Sequence, residues 1–204
     1  MKVLIACEYS GRVRDAFRSK GHDAWSCDLL DCEADPKYHI EGDVVNILND
    51  GWDLLIAHPP CTRLTNSGVR WLKEPPKGKT LEQMWSDLDE ACNFYKLFQD
   101  SPILKKCIEN PVMHKYAKER INQVSNRQIV QPHFFGEEMF KAPGYDLYGL
   151  PKLERTHYME IPEKGTEEHK KWSWVHRCPP GPDRWKIRSR TPVMIAKAMA
   201  EQWG

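Results

Sequence analysis

Apolar positions change their spacing along this chain in a regular order. Val3 to Cys7 is a short continuous apolar run, as expected of a strand buried on both faces; Val13, Ala16 and Phe17 then recur at helical spacing before Gly21, a residue suited to ending a helix. His22 to Cys27 gives a second strand, which ends in Asp28, and Tyr38 to Val44 brings another acid, Asp43, just after Gly42. Trp52 to Ala57 is another buried run and leads into His58-Pro59-Pro60-Cys61. From Leu81 on, Met84, Trp85, Leu88, Ala91, Cys92, Tyr95 and Phe98 fall on one helical stripe, most simply core packing. Ile103 to Ile108, broken by Lys105-Lys106, predicts a strand that ends in Glu109-Asn110-Pro111, followed by a helix around Met113 to Ile121 and a strand around Gln128 to Phe135. Pro192 to Trp203 sets Val193, Ala196, Met199, Ala200 and Trp203 on one helical face that closes back on the sheet. This alternation predicts an α/β fold with a doubly wound, mostly parallel sheet.

Two stretches lack a period. Arg63 to Thr80, with Pro75-Pro76 and Gly78, reads as a mobile loop placed where a lid would be. Lys152 to Arg190 is charged, broken by prolines and carries Trp172, Trp174 and Trp185, so it reads as loop-rich; Ala142-Pro143-Gly144 is expected to interrupt any strand before it. The length suits one core, so we expect a single domain over 1–204, with 112–190 as a reduced substrate-side region and 191–204 as the closing helix.

Composition adds limits. Thirty basic residues stand against twenty-nine acidic ones, so a polyanionic partner needs a local patch rather than global charge. No apolar stretch approaches the ~20 residues of a membrane span, and the short apolar start meets Glu8, so a soluble, unexported protein with no membrane partner is expected. Seven scattered cysteines fit a reducing compartment, and Cys27/Cys32 lacks the second pair that a zinc site needs, so no metal is expected.

In a parallel α/β sheet, ligands bind beyond the carboxyl ends of the strands. Glu8, Asp28, Asp43, Glu109 and Cys61 all fall at such ends. An acid after the second strand suits the two hydroxyls of a ribose, and one after the third suits an adenine amino group; with Ser10-Gly11 at the first turn they describe a pocket for an adenosine-containing cofactor. Gly11 is followed by Arg12-Val13-Arg14 rather than by the dinucleotide glycine fingerprint, so a cofactor without pyrophosphate, S-adenosylmethionine, fits best. Cys61, on a turn stiffened by two prolines, has the place of an aimed nucleophile, against the plainer reading of a buried thiol.

The ordered segments "LIACEYSG", "WSCD", "GDV", "DLLIAHPPCT" and "IENP", with the final "RSRTPVMIAKAMAEQW", resemble the DNA (cytosine-5) methyltransferases. "LYGLPKL" and "CPPGPDRWKIRSRT" extend the resemblance to short methyltransferase-like proteins encoded by bacteriophages. The resemblance implies the S-adenosylmethionine-dependent methyltransferase (Rossmann-like) type of sheet and a DNA substrate whose target base is flipped out or single-stranded. It also implies a bacterial host cytoplasm if the protein is phage-encoded. Cys61 would be the nucleophile, Glu109 the acid at the base and Asn110 a fixer of loop geometry. Glu8, Ser10, Gly11, Asp28, Asp43 and Pro59 would line the cofactor, with Arg63 and Lys141 toward the substrate. His58 stands where that family usually has glycine, Thr62 where it has glutamine, and Lys141 is the nearest basic residue to the missing arginine-rich motif. Two alternatives stay open: carbon-5 chemistry on RNA or a free pyrimidine nucleotide, and a non-catalytic binding protein of the same fold.

Overall fold

The computed structural model describes residues 1–110, 112–122 and 126–204; Pro111 of the "IENP" segment lies outside them. Seven strands form one sheet: β1 (Lys2–Ala6), β2 (Asp23–Asp28), β3 (His39–Glu41), β4 (Leu54–Ala57), β5 (Lys105–Glu109), β6 (Arg127–Ile129) and β7 (Gly144–Tyr148), in the order β3-β2-β1-β4-β5-β7-β6. The first five strands are parallel, while β7 runs antiparallel to both β5 and β6. The doubly wound, mostly parallel sheet is thus present.

Strand alternation divides the core. Val3, Ile5, Leu54, Ile56 and Cys107 face helices α1 (Arg12–Ser19) and α7 (Val193–Trp203), whereas Leu4, Ala6, Leu55, Ala57 and Ile108 face α2 (Leu81–Gln99) and α3 (Lys115–Ile121). Both faces are apolar because both are covered. Helix α2 starts at a capping box, with Thr80 accepting from Gln83 N–H and the Gln83 side chain accepting from Thr80 N–H, and it buries the expected Met84, Leu88, Cys92, Tyr95 and Phe98. The lysine pair that interrupts β5 is accommodated because buried Lys106 donates to the carbonyls of Gln99 (2.7 Å) and Ser101 (2.8 Å), at the C-terminal end of α2 where a cation is favoured. Gly21 takes φ +85° just past α1, a conformation that suits glycine.

Five expectations are corrected. Ala142-Pro143-Gly144 does not end a strand but opens β7; buried Asp146 hid that strand by interrupting the continuous apolar run expected of a strand covered on both faces. The segment read as a strand from Gln128 to Phe135 is β6 followed by a 3₁₀ turn, Pro132–Phe135, that closes at Gly136 with φ +90°. Arg63 to Thr80 is anchored rather than free: Leu64 and Leu72 are buried, Thr65 pairs with Met113, and Gly68 lies so close to the Thr62 carbonyl that a Cβ there would come within 2.2 Å of its oxygen. Within Lys152 to Arg190 three short helices form, α4 (Glu167–Trp172), α5 (Trp174–Arg177) and α6 (Arg184–Ser189). In α7, Val193 turns to solvent while Ile195 takes its place in the core.

Candidate active site

The carboxyl ends of β4 and β5 carry the reactive groups. His58 extends the β1–β4 ladder by one bond, donating its N–H to the Ala6 carbonyl (2.9 Å), and then Pro59 and Pro60 turn the chain so that Cys61 opens a tight turn. The Cys61 carbonyl accepts from Leu64 and Thr65 N–H (3.0 and 3.1 Å). Burial pushes the Cys61 thiol above its ordinary value and the Glu109 carboxylate raises it further, while the charges of Lys141 and Arg188 pull it down. Sulfur, carboxyl and two cations therefore share one electrostatic neighbourhood.

Glu109 ends β5 on the same side of the strand as Cys107, directly opposite Tyr145 of β7. Burial pushes its carboxyl up to about 7, with Lys141 and Arg127 holding it back. Lys141 is pushed down to about 8 by burial, against the pull of Glu109. Its ammonium donates to the carbonyls of Arg188 (2.7 Å) and Arg190 (2.6 Å), which fixes it at the end of α6.

Asn110 is fully buried and is joined to its surroundings through its main chain: its N–H donates to the Gly144 carbonyl (2.8 Å), and Arg127 donates to its carbonyl. Its side-chain amide has no partner among the described residues. A Cβ on Gly144 would fall 2.3 Å from the Arg127 guanidinium and 2.7 Å from the Asn110 carbonyl, so glycine is what allows Arg127 to cross β7 to this loop. Arg63 points elsewhere, paired with Asp87 at 2.8 Å on α2.

On the β1–β3 side, Glu8 is buried and its carboxylate accepts from Val13 N–H (2.8 Å), Arg14 N–H (3.3 Å) and the Ser10 hydroxyl (3.2 Å). It therefore caps α1, whose N-cap Gly11 takes φ +70°, with a Cβ there only 2.6 Å from Arg14. Asp28 is half-buried, raised by that burial, with one oxygen accepting from Leu30 N–H (3.0 Å). Asp43 is exposed and caps a short 3₁₀ turn through Val45 N–H (3.0 Å). Pro59 is buried between the two sides.

Three residues that sequence reasoning left unassigned belong to this neighbourhood. His58 sits one position beyond the paired Ala57 and Ile108, in register with Glu109; its Nε2 is buried with no partner among the described residues, and burial pushes the imidazole down to about 4. Arg127 joins Asp146 (2.6 Å) to the Asn110 loop. Tyr9 donates to the Lys186 carbonyl (2.6 Å), which brings α6 over the β1–α1 turn. The parallel register β4–β5 was the available signal for His58; the partners of Arg127 and Tyr9 are too distant in sequence to have one.

A nucleoside-containing cofactor fits the β1–β3 side on one observation: the half-buried Asp28 carboxylate, at the end of β2, meets only the main-chain N–H groups of Leu30 and Leu29, with no side-chain hydrogen bond or ion pair among the described residues. Glu8 and Ser10, by contrast, are occupied by each other and by α1.

No family model matches the chain, and no curated protein matches it. Solved structures of similar fold include a candidate DNA modification methyltransferase encoded within an E. coli prophage, at 15% identity over 70% of this chain and 44% of that one, TM-score 0.44. They also include the methyltransferase EhMeth of Entamoeba histolytica, at 14% identity over 77% and 57%, TM-score 0.47. A mutant of Spodoptera frugiperda DNMT2 is similar at 12% identity over 79% and 55%, TM-score 0.37. The chain spans about half the length of these proteins.

Proposed function

We propose that this protein transfers a methyl group from S-adenosylmethionine to carbon 5 of cytosine in DNA through a covalent Cys61 adduct. The observation that carries the reading is the grouping of Cys61 with Glu109 and Lys141, in which burial holds the Glu109 carboxyl near 7. A carboxyl with that value is partly protonated at neutral pH and can donate to a ring nitrogen, which an ordinary glutamate does not do.

Carbon 5 of cytosine is a poor nucleophile until a thiolate adds to carbon 6. In this reading the Cys61 thiol gives up its proton to water and its sulfur bonds to carbon 6, and the displaced electron pair of the 5,6 double bond moves into the ring. Glu109 shares its proton with the ring nitrogen that takes up this charge, and Lys141 offsets the negative charge left on the carboxylate. After carbon 5 has taken the methyl group, water takes the proton from carbon 5, the freed electron pair restores the ring double bond as the sulfur–carbon bond breaks and the thiolate is expelled, and the ring nitrogen returns its proton to Glu109. The cofactor, when bound, supplies an electrophilic methyl group; Asp28 would accept from its ribose, with Asp43 at the adenine edge and Pro59 beside it. The target base has to leave the duplex or arrive unpaired.

One observation favours the binding-protein alternative: the acid and hydroxyl of the first turn, Glu8 and Ser10, are consumed in capping α1. The deciding experiment exposes DNA to protein and cofactor, digests it and weighs the nucleosides. The expected product is 5-methylcytosine, absent with Cys61→Ala; unmodified DNA despite cofactor binding by calorimetry would reject the reading.

A further inference from the structure

The chain's near-neutral charge conceals one strongly biased segment. Between His169 and Arg190 lie Lys170, Lys171, Arg177, Arg184, Lys186, Arg188 and Arg190, with Asp183 as the only acid. The same segment exposes two large aromatic side chains, Trp174 at 43% and Trp185 at 53%, whereas Trp172 between them and the sheet is buried. Exposed tryptophans beside cations are what a strand of unpaired bases and phosphates calls for.

How the segment docks explains why its cations are available. Residues 184–191 attach to the body of the protein chiefly through main-chain carbonyls. Lys186 accepts from Tyr9, Arg188 and Arg190 from Lys141, and Thr191 from Arg12 at 2.9 Å. Two side chains also dock: the Ser189 hydroxyl shares a hydrogen bond with the Tyr9 hydroxyl (3.0 Å), and Arg190 makes a two-bond pair with Glu33 (2.7 and 2.8 Å). Arg177, Lys186 and Arg188 form no ion pair among the described residues. Trp185 leans on Tyr9, ring centres 6.1 Å apart, which holds it at the rim of the β1–α1 turn, and the charge of Arg188 is felt at the Cys61 sulfur.

We propose that α5, α6 and the following strap form a grip for an unpaired polynucleotide strand, with bases stacked on Trp174 and Trp185 and phosphates met by Arg177, Lys186 and Arg188. The grip delivers the strand to the edge where Cys61 stands. It deepens the function proposed above and rests on that reading for the reaction alone, since the binding needs no cofactor.

The test is fluorescence anisotropy of labelled oligothymidylate, oligouridylate and a blunt DNA duplex with the full chain, without cofactor, over a salt series. The parent should bind a single strand more tightly than the duplex. Trp185→Ala should weaken single-strand binding about tenfold. Lys186→Gln with Arg188→Gln should lower the log–log salt slope by about 1.4, at ~0.7 per phosphate contact. Because Trp185 packs on Tyr9, Trp174→Ala on α5 serves as an independent variant, with the near-ultraviolet circular dichroism of each variant as the folding check. Binding of oligouridylate in preference to oligothymidylate would support the grip and move the substrate of the site to RNA. The grip is overturned if the parent ignores both single strands at low salt, if it prefers the duplex, or if folded variants bind as the parent does. Loss of methyl transfer with single-strand binding intact would reject the reaction and leave the grip standing.

Discussion

The candidate site residues of the two halves of the cleft use their polar groups in opposite ways, although Arg14 on α1 also buries one nitrogen without a hydrogen-bond partner among the described residues. Along β1 and α1, Glu8 and Ser10 are matched to hydrogen-bonding partners within a few residues, and the turn is closed by Gly11 at φ +70°. Beyond β4 and β5, His58 Nε2 and the Asn110 amide are buried without partners among the described residues, while Cys61, Glu109 and Lys141 are each displaced from their ordinary pKa by burial. A satisfied polar group stabilises its own turn and has little left for a ligand; an unsatisfied one costs stability and is available to something that arrives. In the proposed function the contrast favours chemistry on the β4–β5 side, and on the other side it leaves Asp28 as the main candidate for cofactor affinity.

The largest effect is expected at Cys61. Cys61→Ala should remove turnover altogether, because no other group supplies the thiolate, whereas Cys92→Ala, buried on α2, should cost packing but keep activity. Next comes Glu109→Gln, expected to slow the chemical step by roughly 10²–10⁴ with cofactor binding unchanged, read by single-turnover kinetics.

The same variant carries a stability signature with a definite sign. Folding raises the Glu109 carboxyl from about 4.5 to about 7. Its stabilising contribution is therefore complete below about 4.5 and is lost as pH rises through 7. Glu109→Gln should match the parent's pH dependence in acid but lack this loss, and so gain on the parent by about 2–3 kcal/mol at pH 8–9 in urea titrations. A gap that widens toward acid instead would contradict the assignment.

Smaller again, Lys141→Met should slow turnover about tenfold and push the Glu109 carboxyl further up, moving the alkaline limb of kcat/KM to higher pH. A limb that stays in place would separate Lys141 from Glu109. The comparison of the halves is sharpened most finely by Asp28→Asn and Glu8→Gln. Asp28→Asn should weaken S-adenosylmethionine binding several-fold in calorimetry with little change in melting temperature. Glu8→Gln should cost about 1 kcal/mol of stability through the α1 cap, with the smaller change in affinity.

How much of this was legible in the chain depended on how local each cause is. The run Val3 to Cys7, the α2 stripe and the α7 face could be read because burial on a strand or helix imposes a short period. β7 was hidden because Asp146 is buried for its pairing with Arg127, a contact between two strands that no spacing rule marks. Cys61 and Glu109 were visible as chemistry-bearing types at strand ends. The capping role of Glu8 was not, because it depends on Gly11 adopting a left-handed turn that brings the α1 amides back onto the carboxylate. Arg63, expected toward the substrate, pairs with Asp87 of α2, a partner that no short spacing along the chain marks. His58 and Lys141 owe their altered ionisation chiefly to burial, with Glu109 of β5 and Arg188 of α6 acting on Lys141, an environment that only the assembled fold brings together.

The central claim, that Cys61 and Glu109 act together on a cytosine ring, is tested most directly with DNA containing 5-fluorocytosine, whose fluorine cannot leave as the ring proton does. The protein, the cofactor and this DNA are incubated, denatured and resolved by mass. The account predicts a cofactor-dependent, denaturant-resistant adduct with the parent, mapped to Cys61, much less with Glu109→Gln and none with Cys61→Ala. An adduct equally abundant in all three proteins, or none with the parent under conditions where calorimetry shows cofactor bound, would contradict it.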